Sequence, residues 1–154
     1  DYLQRLQSKK KPVKFLCSID GNKEETYFKV RRKNTFKLAQ SNLEFLSTIK
    51  KDNDFSLTWN FVVMKSTINE IESAITKSTK LGIEINLAPL QGNFTEENIF
   101  TFGEKKEILN YFSYFEKLKE KCKTLKVTGI DDILYRLRTH SCFSIANNVE
   151  ASIS

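Results

Sequence analysis

Hydrophobic and polar residues alternate in three short segments near the start of the chain, which is the pattern of β-strands with two unlike faces. The segments are "VKFLCSID", "FSLTWNFVVMK" and "IEINLAPL". Between them, "NTFKLAQSNLEFLSTIKK" and "STINEIESAITKSTKLG" carry apolar residues at steps of three and four, which predicts two amphipathic helices. Thr67 and Glu70 fit a capping box at the start of the second helix. The predicted order is therefore strand–helix–strand–helix–strand.

The two faces of these strands predict how the sheet is used. Helical crossovers between short strands make neighbouring strands parallel. One face is apolar and suits a layer of helices. The other face is polar and carries Ser18, Asp20, Asn60, Glu84 and Asn86. Because parallel sheets are normally covered on both faces, the polar face is expected to line a cavity or a barrel interior. Ligands of parallel α/β folds sit at the carboxyl ends of strands, where Ser18 and Asp20 lie.

The last third of the chain is predicted to be mostly helical. Helical periodicity covers "EKKEILNYFSYFEKLKEKC" and "GIDDILYRLRTH", the short "LKV" between them suggests a fourth strand, and "SIANNVEASIS" suggests a frayed tail. We therefore divide the chain into a βα half-barrel over residues 1–102 and a mostly helical closing segment with its tail over residues 103–154. The expected fold class is α/β, with three to four parallel strands and outer helices. Because a barrel needs about six to eight strands, we expect this to be half of a larger sheet, and the start at Asp1 also suggests a piece of a longer protein.

Charge and cysteine content narrow the function only slightly. The net charge is +6, and the excess lies in residues 1–50, which hold 12 Lys/Arg against 5 Asp/Glu. A basic segment attracts phosphates or nucleic acid, but no aromatic-interleaved motif accompanies it, so we favour a solvated face over a nucleic-acid partner. Cys17, Cys122, Cys142 and the single His140 match no metal-ligand spacing. No apolar run approaches the ~20 residues of a membrane span, and no leader is recognisable, so we expect a cytoplasmic protein with reduced thiols.

Three stretches of the chain follow one another in a distinctive order. They are "CSIDGNKEETYFKVRRKNTFKLAQSNLEFL", "FVVMKSTINEIESAITKSTKLGIEINLAPLQG" and "EENIF". A strand ends in S-I-D-G, a helix starts with T-Y-x-x-x-R-R, a strand carries F-V-V-M-K-S, and a last strand ends in P-L. This ordered set resembles radical S-adenosylmethionine (SAM) enzymes, especially the branch that often carries a SPASM domain. Where that family commonly has R-R-G-G this chain has R-R-K-N, and it lacks the common Asn-Tyr before the Glu-Ile pair, which leaves the substrate open.

The resemblance implies a fold, a chemistry and partners. The fold would be a partial six-stranded β/α barrel of which this chain is the second half, the N-terminal half of the same barrel being its partner. The enzyme would cleave SAM reductively to a 5′-deoxyadenosyl radical that abstracts hydrogen from an unidentified substrate, with a reductant such as a flavodoxin or ferredoxin. The C-x-x-x-C-x-x-C loop that ligates the 4Fe–4S cluster would lie upstream of Asp1. This stretch alone is therefore expected to be inactive.

By position, the resemblance assigns four cofactor-binding residues. Ser18 would contact SAM through its hydroxyl, which both donates and accepts. Asp20 would either accept from ribose hydroxyls or, as a turn residue, cap the loop. Arg31 would grip the methionine carboxylate with its guanidinium fork, or else lie in a surface basic run. Leu87 would pack against adenine, although strict alternation puts it on the helix-covered face instead.

Two other functions remain open on the residues alone. A non-catalytic relic of the same half-barrel would use the polar groove to bind a nucleotide or a peptide. A basic nucleic-acid-binding protein without any link to SAM would bind in a steeply salt-dependent way, because displaced counterions drive its association.

Overall fold

A four-stranded sheet with the spatial order β1-β2-β3-β4 runs through the computed structural model, which describes residues 13–50, 54–92, 96–100 and 105–139. The strands are Val13–Ser18 (β1), Phe55–Val63 (β2), Glu84–Pro89 (β3) and Val127–Thr128 (β4). Each strand pairs with its neighbour in parallel. This confirms the α/β class and the parallel sheet. The fourth strand is only two residues long and overlaps the predicted "LKV" segment at Val127.

Helices fill the connections between the strands. They are Glu24–Arg31 (α1) and Phe36–Ile49 (α2) after β1, Ile71–Lys80 (α3) after β2, and Lys105–Lys121 (α4) after β3, with a short 3-10 turn at Ile68–Glu70 before α3. A last helix, α5, spans residues 130–139 after β4. Helices α2 to α5 lie within the segments for which helical periodicity was predicted. Helix α1 and the 3-10 turn are shorter than the average protein helix.

The predicted capping box at Thr67 and Glu70 is wrong. The Thr67 hydroxyl donates to the Val62 carbonyl at 2.9 Å and accepts from the Met64 backbone N–H at 2.9 Å, so it closes the turn after β2. Neither the 3-10 turn nor α3 has a side-chain hydrogen bond at its N-cap. Glu70 instead accepts hydrogen bonds from Asn22, between β1 and α1, and from Thr26, within α1.

One hydrophobic core lies between the sheet and the helices. Trp59 and Phe61 of β2 are fully buried in it, together with Phe115 of α4 and Ile133 of α5. The core therefore includes residues from both sides of the boundary predicted at 102/103. Each fully buried side chain of this size contributes about 1.5–3 kcal/mol by leaving water. Coverage is weaker over β1, where the apolar side chains are only partly buried; these are Val13, Phe15 and Cys17.

Within residues 13–50, 54–92, 96–100 and 105–139, no helix is both long enough and apolar enough to span a bilayer.

Candidate functional site

A row of polar side chains crosses the sheet on the face opposite the core. The strand registers place Ser18 beside Asn60, Asn60 beside Asn86, and Asn86 beside Thr128. The Asn86 amide donates to Asn60 Oδ1 at 2.8 Å, and the Thr128 hydroxyl donates to Asn86 Oδ1 at 3.2 Å. The Asn60 amide reaches Ser18 Oγ at 3.5 Å. Side chains that bond to one another across a sheet are held in place, so this polar row is an ordered surface.

The polar row remains open to solvent. Ser18 and Thr128 are exposed, and Asn60 and Asn86 between them are half-buried. Glu84 lies on the same face, where the hydroxyls of Thr58 and Thr128 each approach its Oε1 to 3.5 Å. A parallel sheet that buries one face and exposes a polar opposite face is unusual, because such sheets are normally covered on both sides.

An ion pair stands at the carboxyl end of β1. Arg31, the last residue of α1, places its Nε 2.6 Å from Oδ2 of Asp20. The Asp20 side chain is 5% exposed and the Arg31 side chain 41% exposed. The other carboxylate oxygen of Asp20 accepts from the Val62 backbone N–H at 3.4 Å. The structure thus brings together two residues that the sequence singled out separately, and the buried carboxylate orients the guanidinium.

A cleft of about 500 Å³ opens beside this ion pair. Its walls come from the end of α1, the ends of β2 and β3 and the segment before residue 98, and it is lined by Asp20, Lys29, Val30, Arg31, Arg32, Val62, Met64, Leu90, Glu96 and Glu97. The volume lies within the range of small-molecule sites. A cleft at the carboxyl ends of parallel strands is also where ligands bind in α/β folds.

The far wall of the cleft is held by Glu97. Its carboxylate lies 3.0 Å from Lys29 Nζ and accepts from the Ser66 backbone N–H at 2.9 Å. Partial burial by itself raises the pKa of Glu97, but the hydrogen bonds from Ser66 and the Lys29 ammonium outweigh it and lower that pKa below its usual value. Glu97 therefore stays ionised at neutral pH and ties α1 to the loops after β2 and β3.

The turn after β1 is clamped from a distant part of the chain. Glu70, which is 4% exposed, accepts from the Asn22 backbone N–H at 2.5 Å and from the Thr26 hydroxyl at 2.5 Å. Gly21, directly before Asn22, has φ +92°, and a Cβ there would meet Thr26 Cγ2 at 3.0 Å and Glu70 Oε2 at 3.3 Å. The glycine of the S-I-D-G turn is thus required by backbone conformation and by close packing.

Ser18 and Leu87, the other two residues assigned by sequence, lie in different environments. Ser18 is exposed at the β1 end of the polar row, two residues before Asp20. Leu87 is fully buried in the core, on the face that strict alternation gave it, so it offers no side-chain surface to the cleft. Its contact with an adenine ring stays a prediction.

The described residues offer neither a thiolate nucleophile nor a metal-binding cluster of side chains. Burial raises the pKa of the half-buried Cys17 thiol and of the buried Cys122 thiol, so both are neutral rather than nucleophilic thiolates at neutral pH. No group of three or more His, Cys, Asp or Glu side chains within the described ranges could hold a metal ion. His140, Cys142 and the basic stretch "SKKKP" lie outside the described residues.

Comparisons with known proteins found no match for this chain. No protein-family model, no curated protein and no solved structure matches the chain. The function is therefore argued from the sheet and its cleft.

Proposed function

We propose that this chain is the second half of a radical SAM barrel, whose strand ends bind SAM and substrate. The observation that carries the proposal is the one-sided sheet. Helices cover the apolar face of four parallel strands, while the polar row of Ser18, Asn60, Asn86 and Thr128 stays open and hydrogen-bonded. A barrel interior is the natural setting for such a face, because the strands of a barrel point alternate side chains inward.

The edge of the sheet supports an incomplete barrel. In the order β1-β2-β3-β4, strand β1 has a hydrogen-bonded neighbour on one side only among the described residues. Phe15 and Cys17 of β1 are partly buried, whereas Trp59 and Phe61 of β2 are fully buried. Leu16, on the polar face of β1, is 65% exposed. An unpaired edge with thin apolar cover is a place where further strands add, and the N-terminal half of the same barrel would supply them.

The residues at the cleft suit the polar ends of SAM. Asp20 engages Nε of Arg31, and the two Nη groups of that guanidinium would bind the methionine carboxylate as a fork. Ser18 lies outside the cleft lining, at the β1 end of the polar row, and from there its hydroxyl would donate to or accept from the ribose or amino-acid part. In the longer enzyme, SAM would supply a 5′-deoxyadenosyl radical after reduction by the 4Fe–4S cluster. The resemblance puts the ligands of that cluster upstream of Asp1, so this chain would bind and orient SAM without performing the redox step.

Calorimetry with SAM tests the binding role of Arg31. The wild-type chain is expected to bind SAM, and Arg31→Gln is expected to weaken binding by at least about tenfold, because a charge-assisted hydrogen bond is lost. Arg136→Gln is a matched control: Arg136 also pairs through Nε with an aspartate, Asp132, at 3.3 Å, and its side chain is 36% exposed. Undetectable SAM binding by the wild type, or equal losses in the two variants, would contradict the assignment.

The gene sequence tests the larger claim. The parent reading frame is expected to encode a C-x-x-x-C-x-x-C segment upstream of Asp1, and the protein containing it is expected to show iron–sulfur absorbance after anaerobic reconstitution. A reading frame that starts at residue 1 without that segment would exclude the enzyme.

The second candidate is a non-catalytic nucleotide- or peptide-binding half-barrel. It is favoured by the charge balance of the cleft, where Asp20 already pairs with Arg31 and Glu97 with Lys29. This candidate predicts retained ligand binding together with an absence of iron–sulfur absorbance in the longest natural form of the protein.

A further inference from the structure

We propose that Glu70 is a positioning residue, which fixes the turn after β1 and through it the Asp20–Arg31 pair at the cleft. The inference rests on the proposed function only in assuming that this pair meets the ligand. The link between Glu70 and the pair is a property of the free chain and is tested without any ligand.

Glu70 holds the turn after β1 rather than capping its own helix. Its two carboxylate oxygens take separate donors, with Oε2 accepting from the Asn22 backbone N–H and Oε1 from the Thr26 hydroxyl. These partners are 48 and 44 residues away in sequence. Ser73, one turn further along, adds a contact from its Oγ to the Asn22 side-chain amide at 3.0 Å. Glu70 and Ser73 thus hold the α1 end of the β1–α1 connection.

Burying the Glu70 carboxylate costs solvation free energy. Glu70 is only 4% exposed, and removing a carboxylate from water is unfavourable unless hydrogen bonds replace the lost solvation. Its hydrogen-bond donors among the described residues are a backbone N–H and a hydroxyl, so they replace that solvation without an opposite charge. An apolar residue would fill the space at lower cost. A buried acid at this place is therefore best explained by the geometry that it imposes on its partners.

The turn is linked to the ion pair through the backbone on either side of Asp20. Asp20 lies between Ile19, whose carbonyl accepts from Trp59 Nε1 at 2.9 Å, and Gly21, which packs against Thr26 and Glu70. The direct hold of β2 on the Asp20 carboxylate is weak, since the Val62 N–H donates across 3.4 Å. Trp59 anchors the chain before Asp20, and Val62 holds the Asp20 carboxylate only weakly. The position of the chain after Asp20 therefore depends on the Glu70 contacts.

The consequence is pre-organisation of the guanidinium. Asp20 fixes Nε of Arg31, so any rotation of the turn moves the anchor of that side chain. A side chain already held in its binding geometry loses less entropy when a ligand arrives. Glu70 would thus raise affinity at the cleft without touching the ligand.

The experiment measures hydrogen exchange in the free, full-length chain by ¹⁵N NMR. The Asn22 backbone N–H reports the clamp itself, and the Arg31 Nε–H reports its transmission to the ion pair. In Glu70→Met, which keeps the volume and removes both acceptors, both signals are expected to exchange about tenfold faster, the size expected when one hydrogen-bonded contact is lost. Glu70→Gln, which still accepts at one oxygen, is expected to restore exchange to within about threefold of wild type.

Two further variants keep the result interpretable. Glu72→Met removes an exposed carboxylate two residues away, whose contact is Lys121 at 3.4 Å, and it should leave both signals unchanged. If Glu70→Met fails to fold, Thr26→Val replaces it, because it removes one donor to Glu70 at constant shape. Thr26→Val is expected to speed both signals by about threefold.

The outcomes separate this inference from the proposed function. Faster exchange at Asn22 with unchanged exchange at Arg31 would make the clamp purely local and overturn the proposal, as would unchanged exchange at both. Faster exchange at both positions supports it. Failure of the wild-type chain to bind SAM would end the proposed function and leave the exchange result standing.

Discussion

Replacing Gly129 with alanine is expected to destabilise the fold by about 2–5 kcal/mol, since the change combines a left-handed backbone with overpacking. Gly129 follows β4 with φ +87°, and a Cβ there would overlap the backbone carbonyl of Leu87 and lie 2.9 Å from Asn86 Oδ1. Both obstacles belong to β3. The Leu87 carbonyl is main chain, so it cannot move without disturbing the sheet. The measurement is urea denaturation followed by the fluorescence of Trp59, the single tryptophan of the chain.

Gly82→Ala is the matched control for this prediction. Gly82 also has a positive φ, +67°, but a Cβ there would meet nothing within 4 Å. Its substitution carries the backbone penalty alone, about 1–2 kcal/mol. The excess cost of Gly129→Ala therefore measures the close approach of β4 to β3. Equal costs for the two alanines would show that the Gly129 backbone relaxes away from Leu87, contrary to the packing described.

The sheet could be predicted from sequence because its alternation is strict. In β2, every second residue from Phe55 to Val63 is buried. A slip of one residue would turn the whole apolar set toward water, so the pattern fixes which face is covered. The same rule placed Leu87 in the core, against its assignment as an adenine contact.

The contacts of the cleft could be predicted only in part. Ser18, Asp20 and Arg31 were singled out one by one, but the ion pair between Asp20 and Arg31 depends on where α1 ends relative to β1, which no local pattern encodes. Glu70 was misassigned because the spacing of Thr67 and Glu70 satisfies a local capping rule. The interaction that it makes instead spans 48 residues, and sequence spacing carries no signal for it.

The predicted boundary at 102/103 raises a different question, which concerns the packing of the C-terminal helices. The separation into residues 1–102 and 103–154 followed the change from alternating to helical periodicity. In the structure, Phe115 and Ile133 belong to the same buried cluster as Trp59. A continuous core of this kind couples the stability of the helices to that of the sheet, because neither side can lose its partner without exposing apolar surface.

Phe115→Ala tests that coupling and is expected to cost about 3–5 kcal/mol, the usual loss for truncating a fully buried phenylalanine. Phe115 is 0% exposed and packs edge-to-face with Tyr114, with ring centroids 5.1 Å apart. Two probes follow unfolding in urea. Trp59 fluorescence reports the sheet, and far-ultraviolet circular dichroism reports mainly the helices. The two transitions are expected to stay coincident while their shared midpoint falls, as in a two-state unit.

Phe45→Ala provides the control, because Phe45 of α2 is 63% exposed and its truncation is expected to change stability by less than about 0.5 kcal/mol. If Phe115→Ala lowered only the circular dichroism transition and left the Trp59 transition in place, the C-terminal helices would unfold on their own. The boundary at 102/103 would then mark a real appendage. A common shift of both transitions would show that residues 105–139 unfold together with the sheet that forms the cleft. The same core then supports β3, β4 and the strand ends beside Arg31.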